Sequence, residues 1–318
     1  MTASLSLPVA EPTGCTGYLA AEGFEAELRH ELGEIALAHG RLLLAAGPPR
    51  PAAWAQNVWL EVTRLPIASI GEGARALRAI QRNWWPYAPG LHRRTALLAD
   101  KLPKVSARAL EFGQPAPTAP LGSFTLLDER TVLAAPRCTS PFPNGECHLV
   151  EDRQGPPSRA YLKLWDAFTC LGVAPGPGQL CLDLGACPGG WTWVLARLGA
   201  SVIAVDKAPL APEVAAMAQV SLRQESAFGL DPAQVGPVDW LFSDIICYPE
   251  RLYRLIRQWL DSGRARNFVC TLKFQGETDH ATARAFAAIP GSRLMHLYHN
   301  KHELTWVLLD GASEGTVA

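Results

Sequence analysis

A turn with three glycines and a proline lies in the second half of this sequence, in the stretch LDLGACPGGWTWVLARLG from Leu182 to Gly199. The turn runs from Gly185 to Gly190, after a strand-like segment and before an amphipathic helical one. Glycine adopts positive φ and lets a ligand come close to the main chain. In the dinucleotide-binding fingerprint, the second glycine lets the pyrophosphate come close to the backbone. This sequence has Cys187 at that position. The turn therefore favours a ligand without a pyrophosphate, the alternative being a turn that only packs helix against strand.

Two acidic residues near the turn narrow the choice of ligand. Asp206 ends the next strand-like segment, about 20 residues after Gly185, where a carboxylate can accept both hydroxyls of an adenosine ribose. Asp183 precedes the turn and is placed to meet a cationic amine. An adenosine and a cation without a diphosphate together describe S-adenosylmethionine, which we predict as the cofactor.

The elements that must position this turn alternate between strand and helix from about residue 150 onward. The predicted strands are QLCLDL, SVIAVD, VSLRQ, DWLFSD, NFVCTLK, RLMHLYH and LTWVLLD. Helices are predicted between these strands, near Trp191–Leu198, Pro212–Ala218, Glu250–Leu260 and Thr278–Ala288. This alternation predicts a parallel sheet covered on both faces, with ligands bound at the carboxyl ends of the strands. The last two strands follow each other closely, so one of them should run antiparallel.

The first 150 residues mix shorter elements. Strands are predicted in GYLAAE, RLLLAAG and NVWLEVTRL, helices in FEAELRHELGE, EGARALRAIQRNW and LHRRTALLADKL, and a hairpin in FTLLDERTVLAA. Three prolines between Gly113 and Gly122 predict a linker or long loop. A length of 318 residues favours two domains, and we place the boundary near residue 150.

A basic and aromatic segment lies within the first domain, although the whole chain has a net charge of −1. Its basic residues are Arg75, Arg78, Arg82, Arg93, Arg94, Lys101, Lys104 and Arg108, against Asp100 alone. Trp84, Trp85 and Tyr87 are interleaved with them. Basic side chains attract phosphates and aromatic rings stack on bases, so segment 75–108 is a candidate RNA contact. The alternative is a solvated pair of amphipathic helices with buried tryptophans.

The composition, with 48% hydrophobic and 19% charged residues, is typical of a globular protein, and no apolar run approaches the roughly 20 residues that span a bilayer. The eight cysteines include no C-x-x-C pair and are expected to be reduced thiols. Cys147 and His148 are adjacent but lack two further ligands nearby, so we predict no metal site. We expect a cytoplasmic protein without membrane association or an obligate protein partner.

The segment LDLGACPGGWT resembles the first motif of the FtsJ/RrmJ-like RNA ribose 2′-O-methyltransferases. The resemblance is strongest to the RlmM branch, which acts on large-subunit (23S) ribosomal RNA, and covers about Ser158 to Leu309. That branch carries an N-terminal RNA-binding THUMP domain, and TGYLAAEGFEAELRHEL resembles its opening in shortened form. The resemblance implies an α/β, class I (Rossmann-like) methyltransferase sheet in 151–318, with a smaller α+β (THUMP- or ferredoxin-like) RNA-recognition domain in 1–150.

The family relies on a Lys-Asp-Lys-Glu tetrad, and this sequence has a match for each member. The matching residues are Lys163 in SRAYLKLWDA, Asp244 in WLFSDIICYP, Lys273 in FVCTLKFQG and Glu303 in YHNKHELTWV. A ribose hydroxyl is a poor nucleophile until a base takes its proton. Lys273 is the expected base, made neutral by a partly dry site and a second cation, while the other three orient it and the hydroxyl.

The resemblance also extends the predicted cofactor site beyond the glycine turn. An adenine-contacting aspartate of the family aligns with Ser226, and Glu225 is the neighbour that could substitute for it. The predicted cofactor-binding residues are Asp183, Gly185, Ala186, Cys187, Pro188, Gly189, Gly190, Trp191, Asp206, Glu225, Ser226 and Asp244.

Two other classes of function compete with ribose methylation. A base methyltransferase is the first, and an enzyme of this class that acts on ring carbon would need a nucleophilic cysteine, for which Cys247 and Cys270 are candidates by position. A non-catalytic RNA-binding protein could retain the fold as a platform. The intact tetrad favours the ribose methyltransferase over both.

Overall fold

The computed structural model describes residues 8–311, which divide into two compact units. The first unit extends to Ala109 and includes Ala116–His148, whereas the second takes Leu110–Pro115 and continues from Leu149. No helix among the described residues is long and apolar enough to cross a membrane.

The first unit is an α+β structure with two five-stranded sheets. Its strands are β1 (Glu11–Pro12), β2 (Cys15–Ala20), β3 (Leu37–His39), β4 (Leu42–Ala46), β5 (Ala55–Leu60), β6 (Thr63–Pro66), β7 (Trp84–Pro86), β8 (Gly122–Asp128), β9 (Thr131–Ala135) and β10 (Arg137–Cys138). Its helices are α1 (Glu25–Leu32), α2 (Ile70–Ile80) and α3 (His92–Ala99). The sheet orders are β1-β6-β9-β8-β7 and β10-β5-β2-β4-β3. The predicted hairpin is confirmed as β8 and β9, which pair antiparallel.

The prediction of one continuous strand in NVWLEVTRL is wrong. The segment forms β5 and β6, which belong to different sheets. Glu61 between them has φ 56, a left-handed conformation that a β-ladder does not accommodate. The Glu61 carboxylate pairs with Arg137 at 2.6 Å. The chain therefore changes sheets at Glu61, which the apolar alternation of the segment does not reveal.

The helix predicted in EGARALRAIQRNW ends earlier than expected. Ser69 caps α2 by accepting from the Glu72 N–H, and α2 ends at Ile80. Trp84 instead begins β7, and its indole donates to the Leu77 carbonyl at 3.0 Å. The tryptophan thus folds back onto the helix to which it was assigned.

The basic segment 75–108 has exposed charges but mostly buried rings. All its basic side chains are exposed except Arg94, which is half-buried. Trp84 and Tyr87 are buried, and the Tyr87 hydroxyl accepts from the Arg41 N–H at 2.6 Å. Those two rings support the core of the first unit instead of stacking on bases, and Trp85 alone stays partly exposed.

The second unit contains one seven-stranded sheet with helices on its faces. Its helices are α4 (Tyr161–Leu171), α5 (Gly190–Arg197), α6 (Pro212–Ala215), α7 (Pro232–Val235), α8 (Pro249–Ser262) and α9 (His280–Ala287). Its strands are β11 (Leu180–Leu184), β12 (Ser201–Val205), β13 (Val220–Arg223), β14 (Val238–Ser243), β15 (Ala265–Lys273), β16 (Ser292–Met295) and β17 (Glu303–Leu308).

The sheet order is β13-β12-β11-β14-β15-β17-β16. The five strands from β13 to β15 are parallel, and β17 runs antiparallel to both β15 and β16, as the sequence predicts. The predicted strand RLMHLYH is too long, because β16 ends at Met295 and the following residues form a loop that leads into β17.

Period-two alternation along the strands gives the sheet two apolar faces. On one face, Trp240 and Phe242 stack on each other and contact Phe168 of α4. On the other, Trp306 of β17 contacts Phe286 of α9. These contacts hold α4 against the sheet, which matters because α4 carries Lys163.

Candidate active site

Four secondary-structure elements bring the predicted tetrad together. Lys163 lies in the first turn of α4, and Asp244 directly follows β14. Lys273 is the last residue of β15, and Glu303 is the first residue of β17. Because β15 and β17 are antiparallel, Lys273 and Glu303 are direct cross-strand partners. Four residues separated by up to 140 positions therefore converge at one edge of the sheet.

Lys163 holds both carboxylates of this cluster. Its Nζ lies 2.7 Å from Asp244 Oδ1 and 2.9 Å from Oδ2. The same nitrogen lies 3.2 Å from Glu303 Oε1. Lys273 Nζ is 3.1 Å from Asp244 Oδ1 and also donates to the Asp244 backbone carbonyl. Asp244 is thus shared by the two lysines, while Glu303 is bound by Lys163.

The tetrad divides into an inner pair and an outer pair. Asp244 and Lys273 line a cavity of about 310 Å³ at the carboxyl ends of the parallel strands. Lys163 and Glu303 are not among the residues that line it, and their side chains are only 13% and 8% exposed. Asp244 and Lys273, the outer pair, line the cavity. Lys163 and Glu303, the inner pair, lie behind them and contact Asp244 or each other.

A hydrogen-bonded loop fixes the position of Glu303. The Lys301 N–H donates to Glu303 Oε1 at 3.3 Å, and the Asn300 side chain donates to the Glu303 carbonyl at 3.3 Å. Asp166, one turn after Lys163 on α4, accepts from the His299 N–H at 3.0 Å. Residues of α4 therefore hold both Glu303 and the loop that precedes it. Sequence reasoning missed Asp166, although a carboxylate flanked by Trp165 and Phe168 in WDAF signals a buried partner.

The glycine turn has the predicted backbone conformation, but two of its glycines are also required by close packing against other side chains. Gly185 has φ 80 and Gly189 has φ 113, so both require positive φ. A Cβ on Gly185 would lie 2.4 Å from Ile245 Cγ1, and one on Gly189 would lie 2.9 Å from Val214 Cγ1. The nearest atoms at these positions belong to protein side chains. Glycine is therefore needed at these two positions for the positive φ and for the space that Ile245 and Val214 occupy. The prediction that these glycines serve ligand approach does not account for that packing.

Asp206 is tied to this turn by backbone hydrogen bonds. Its Oδ2 accepts from the Cys187 N–H and its Oδ1 from the Ala208 N–H, both at 3.0 Å. Each carboxylate oxygen has a second lone pair that a ligand hydroxyl could use. The carboxylate is therefore held in one orientation beside the turn.

Asp183 is almost fully buried at the base of the cavity. Burial raises its pKa to about 7, opposed by a hydrogen bond that Thr192 Oγ1 donates to Asp183 Oδ2 at 2.6 Å. The negative charges of Asp244 and Asp206 raise the pKa further. A cationic ligand group here would favour the carboxylate form.

A second cavity, of about 170 Å³, continues the first. Both are lined by Gly185, Asp206 and Ile245, so together they form a trough along the strand ends. Glu225 and Ser226 line only the second cavity. The Glu225 carboxylate is bound by Arg223 at 2.6 Å, which leaves the Ser226 side of this cavity for a ligand.

The structure brings most of the predicted cofactor residues to the trough. The first cavity is lined by Asp183, Gly185, Ala186, Cys187, Pro188, Gly190, Trp191, Asp206 and Asp244. Gly189 lines neither cavity. The Trp191 indole donates to the Ala160 carbonyl at 2.9 Å, so this ring is also a structural link between α5 and α4.

Several lining residues were not predicted from the sequence. They are Ser158, Ala160, Ile245 and Ile246 in the first cavity, and Val205, Lys207, Ala227, Phe228 and Arg251 in the second. Arg251 stacks on the Phe228 ring with its guanidinium 3.8 Å from the ring centroid. Most of them lie just beyond strand ends, which is the one signal that could have identified them.

Comparisons with known proteins identify the family to which the second unit is similar. Residues 156–277 match the family described as FtsJ-like methyltransferase. The chain is 38% identical over 172 residues to ribosomal RNA large subunit methyltransferase M of Halorhodospira halophila, covering 52% of this chain and 50% of that protein. It is 33% identical over 282 residues to the protein of the same name from Alkalilimnicola ehrlichii, covering 84% of this chain and 71% of that protein.

A third relative with this name, from Laribacter hongkongensis, is 34% identical over 238 residues, with 69% of this chain and 65% of the relative covered. The matches thus span from half to about seven tenths of the relatives' length. The seven-stranded sheet, the glycine turn and the match across most of the Alkalilimnicola protein lead to one assignment. The chain belongs to the family of ribosomal RNA large subunit methyltransferase M and contains its FtsJ-like methyltransferase domain.

Proposed function

We propose that this protein transfers a methyl group from S-adenosylmethionine to a ribose 2′-hydroxyl of large-subunit ribosomal RNA. The observation that carries the proposal is the placement of Lys273 and Asp244 on the cavity wall, supported by Lys163 and Glu303 behind them. Membership in a methyltransferase family supports methyl transfer, whereas the ribose as acceptor rests on this constellation.

The trough fits an elongated nucleoside cofactor. Asp206 lies where the two cavities meet, which suits a ribose in the middle of the ligand. The second cavity, with Phe228 and Ile245, offers apolar walls for an adenine. Asp183 at the base of the first cavity can meet the amine of the other end. The cofactor supplies a methyl group on a positively charged sulfur, which leaves as a neutral thioether.

Lys273 is the proposed general base. Lys273 lines the cavity, so a ribose hydroxyl presented there can pass its proton to Lys273 Nζ as the oxygen attacks. Asp244 holds that nitrogen in place by its carboxylate and its carbonyl. Proximity and orientation then make the attack effectively unimolecular.

Lys163 has a different part in this proposal. It lies closer to Asp244 than Lys273 does, at 2.7 against 3.1 Å, and it alone of the two binds Glu303. Lys163 is therefore the cation that the two carboxylates share. In this proposal Lys163 holds the two carboxylates, and Lys273 is the proton acceptor that faces the substrate.

RNA as substrate is supported by the names of the relatives and by charge. Each of the three relatives is named for methylation of large-subunit ribosomal RNA. The exposed basic side chains of segment 75–108 suit contact with phosphates. In this proposal the first unit is a shortened THUMP-like domain that recognises RNA, and its basic segment contributes charge more than stacking.

Base methylation through a cysteine is disfavoured by the two candidate thiols. Burial raises the pKa of the Cys247 thiol, and it raises that of Cys270 well above its usual value. Cys270 is inaccessible within β15. A thiol nucleophile needs its thiolate form, and burial disfavours that form at both residues, at Cys247 in spite of the nearby cations Arg251 and Lys273.

Transfer of labelled methyl groups to an unmodified transcript of large-subunit ribosomal RNA tests the proposal. Digestion to nucleosides should give a 2′-O-methylnucleoside, and a base-methylated product or no product would contradict it. Lys273→Met should lower kcat by about 10²–10⁴-fold, with cofactor affinity unchanged by calorimetry. Lys301→Met is the matched control, because Lys301 is exposed two residues before Glu303 and touches it only through its backbone.

A further inference from the structure

The loop after Asp244 exposes two large side chains beside the cavity. Ile246 is 78% and Tyr248 is 67% exposed, the highest values among large apolar residues in the second unit of the described chain. Cys247 between them is buried. The loop therefore alternates, with Ile246 and Tyr248 facing solvent and Cys247 facing the core.

The backbone of this loop is held firmly, so the exposure is not that of a loose segment. Tyr248 is the N-cap residue of α8, and its carbonyl accepts from the Arg251 N–H at 3.0 Å. Pro249 follows it at the first helical position, where its fixed φ suits the helix start. The ring is thus presented to solvent from a fixed position four residues after Asp244.

Ile246 connects this exposed pair to the reaction site. It lines the same cavity as Asp244 and Lys273. Because Ile246 is both exposed and part of the cavity lining, it borders the cavity that a substrate must enter. A protein permanently seated on Ile246 would obstruct the cavity, whereas a transient ligand that delivers the acceptor would use it.

We propose that Ile246 and Tyr248 form a platform that binds the base of the nucleotide whose ribose is methylated. This inference rests on the proposed function, because it names how that substrate is held. A base taken out of its stack loses apolar contacts that an aromatic ring and an aliphatic side chain can replace. The platform accepts a base because it is apolar and uncharged, and the ribose attached to that base then lies at the cavity mouth.

The platform predicts a selective effect on RNA. Tyr248→Ala should raise KM for the unmodified transcript about tenfold, as expected for the loss of one stacked base, while Tyr248→Phe should retain the wild-type KM. Cofactor affinity should not change in either variant. Val173→Ala is the control, because Val173 is 40% exposed and lies beyond the far end of α4 from Lys163.

An abasic substrate separates base binding from other roles of Tyr248. The methylated nucleotide is located with the wild-type protein and then built into a short RNA with and without its base. Tyr248→Ala should impair methylation of the intact RNA and have no further effect on the abasic RNA. An equal loss on both RNAs, or an unchanged KM on the transcript, would overturn the platform and favour a protein partner or a second copy at this surface.

Filter binding of the transcript distinguishes failure of the platform from failure of the proposed function. A wild-type protein that binds RNA but transfers nothing to ribose overturns the proposed function and, with it, the role assigned to the platform. A wild type that methylates ribose, with a Tyr248→Ala variant that matches it in affinity and KM, overturns the platform alone.

Discussion

Replacement of Asp183 by asparagine should remove a pH dependence from folding stability. The carboxyl is buried and its pKa is raised to about 7 by that burial, against an ordinary value of 3.8. Between these values the folded protein keeps a proton that the unfolded chain releases. Stability therefore falls as pH rises through this range and levels off above about 7.

The size of the effect follows from the shift. One pKa unit corresponds to about 1.4 kcal/mol, so the two pH units between pH 5 and the raised pKa correspond to about 3 kcal/mol of lost stability. The asparagine side chain would keep an oxygen that can accept from Thr192 Oγ1, but it cannot ionise. Asp183→Asn should therefore be more stable than wild type at pH 8, and the advantage should shrink towards pH 5.

Urea denaturation of both proteins without cofactor at pH 5, 6, 7 and 8 measures this difference. The pH dependence common to all other groups cancels when the two curves are subtracted. A difference that stays constant over this range would refute the reasoning, because it would mean that Asp183 ionises at its ordinary pKa in the folded protein. Added S-adenosylmethionine should flatten the wild-type curve if its amine stabilises the carboxylate.

Four further substitutions test separate parts of the structure. Lys163→Met should abolish methyl transfer and lower the free energy of unfolding by about 2 kcal/mol or more in urea titrations, because it leaves two largely buried carboxylates without their shared cation. Gly185→Ala should cost about 1–3 kcal/mol in the same titrations and weaken cofactor binding, since its Cβ would meet Ile245 at positive φ. Trp84→Ala should destabilise the protein by about 3–5 kcal/mol, whereas Arg82→Gln, which removes an exposed charge of the same segment, should leave stability unchanged and reduce the salt dependence of RNA binding measured by filter retention.

The sequence sufficed for the features that depend on strand ends. Residues that follow parallel strands meet at one edge of a sheet, so the convergence of Asp244 and Lys273 near the Gly185 turn could be predicted. The direction of the last two strands followed from the short connection between them. These inferences need only the order of elements along the chain.

Features that depend on tertiary packing could not be predicted in the same way. Apolar alternation continues through Glu61, yet the chain changes sheets there because one residue adopts left-handed backbone. A tryptophan can stack on a base or pack in a core, and the sequence does not show that Trp84 packs against α2. Sequence spacing likewise contains nothing that separates the inner pair of the tetrad, Lys163 and Glu303, from the outer pair.

In the proposed mechanism, that separation explains why the site contains two lysines instead of one. A single lysine beside Asp244 would be paired with the carboxylate as an ammonium, and an ammonium cannot accept a proton. With Lys163 bound to Asp244 and Glu303 behind the cavity wall, the carboxylates already have a cation. Lys273, which lines the cavity, can then use Asp244 for orientation. If this is correct, Lys163→Arg should preserve charge but lose most activity, because a planar guanidinium cannot match the geometry of one ammonium between two carboxylates.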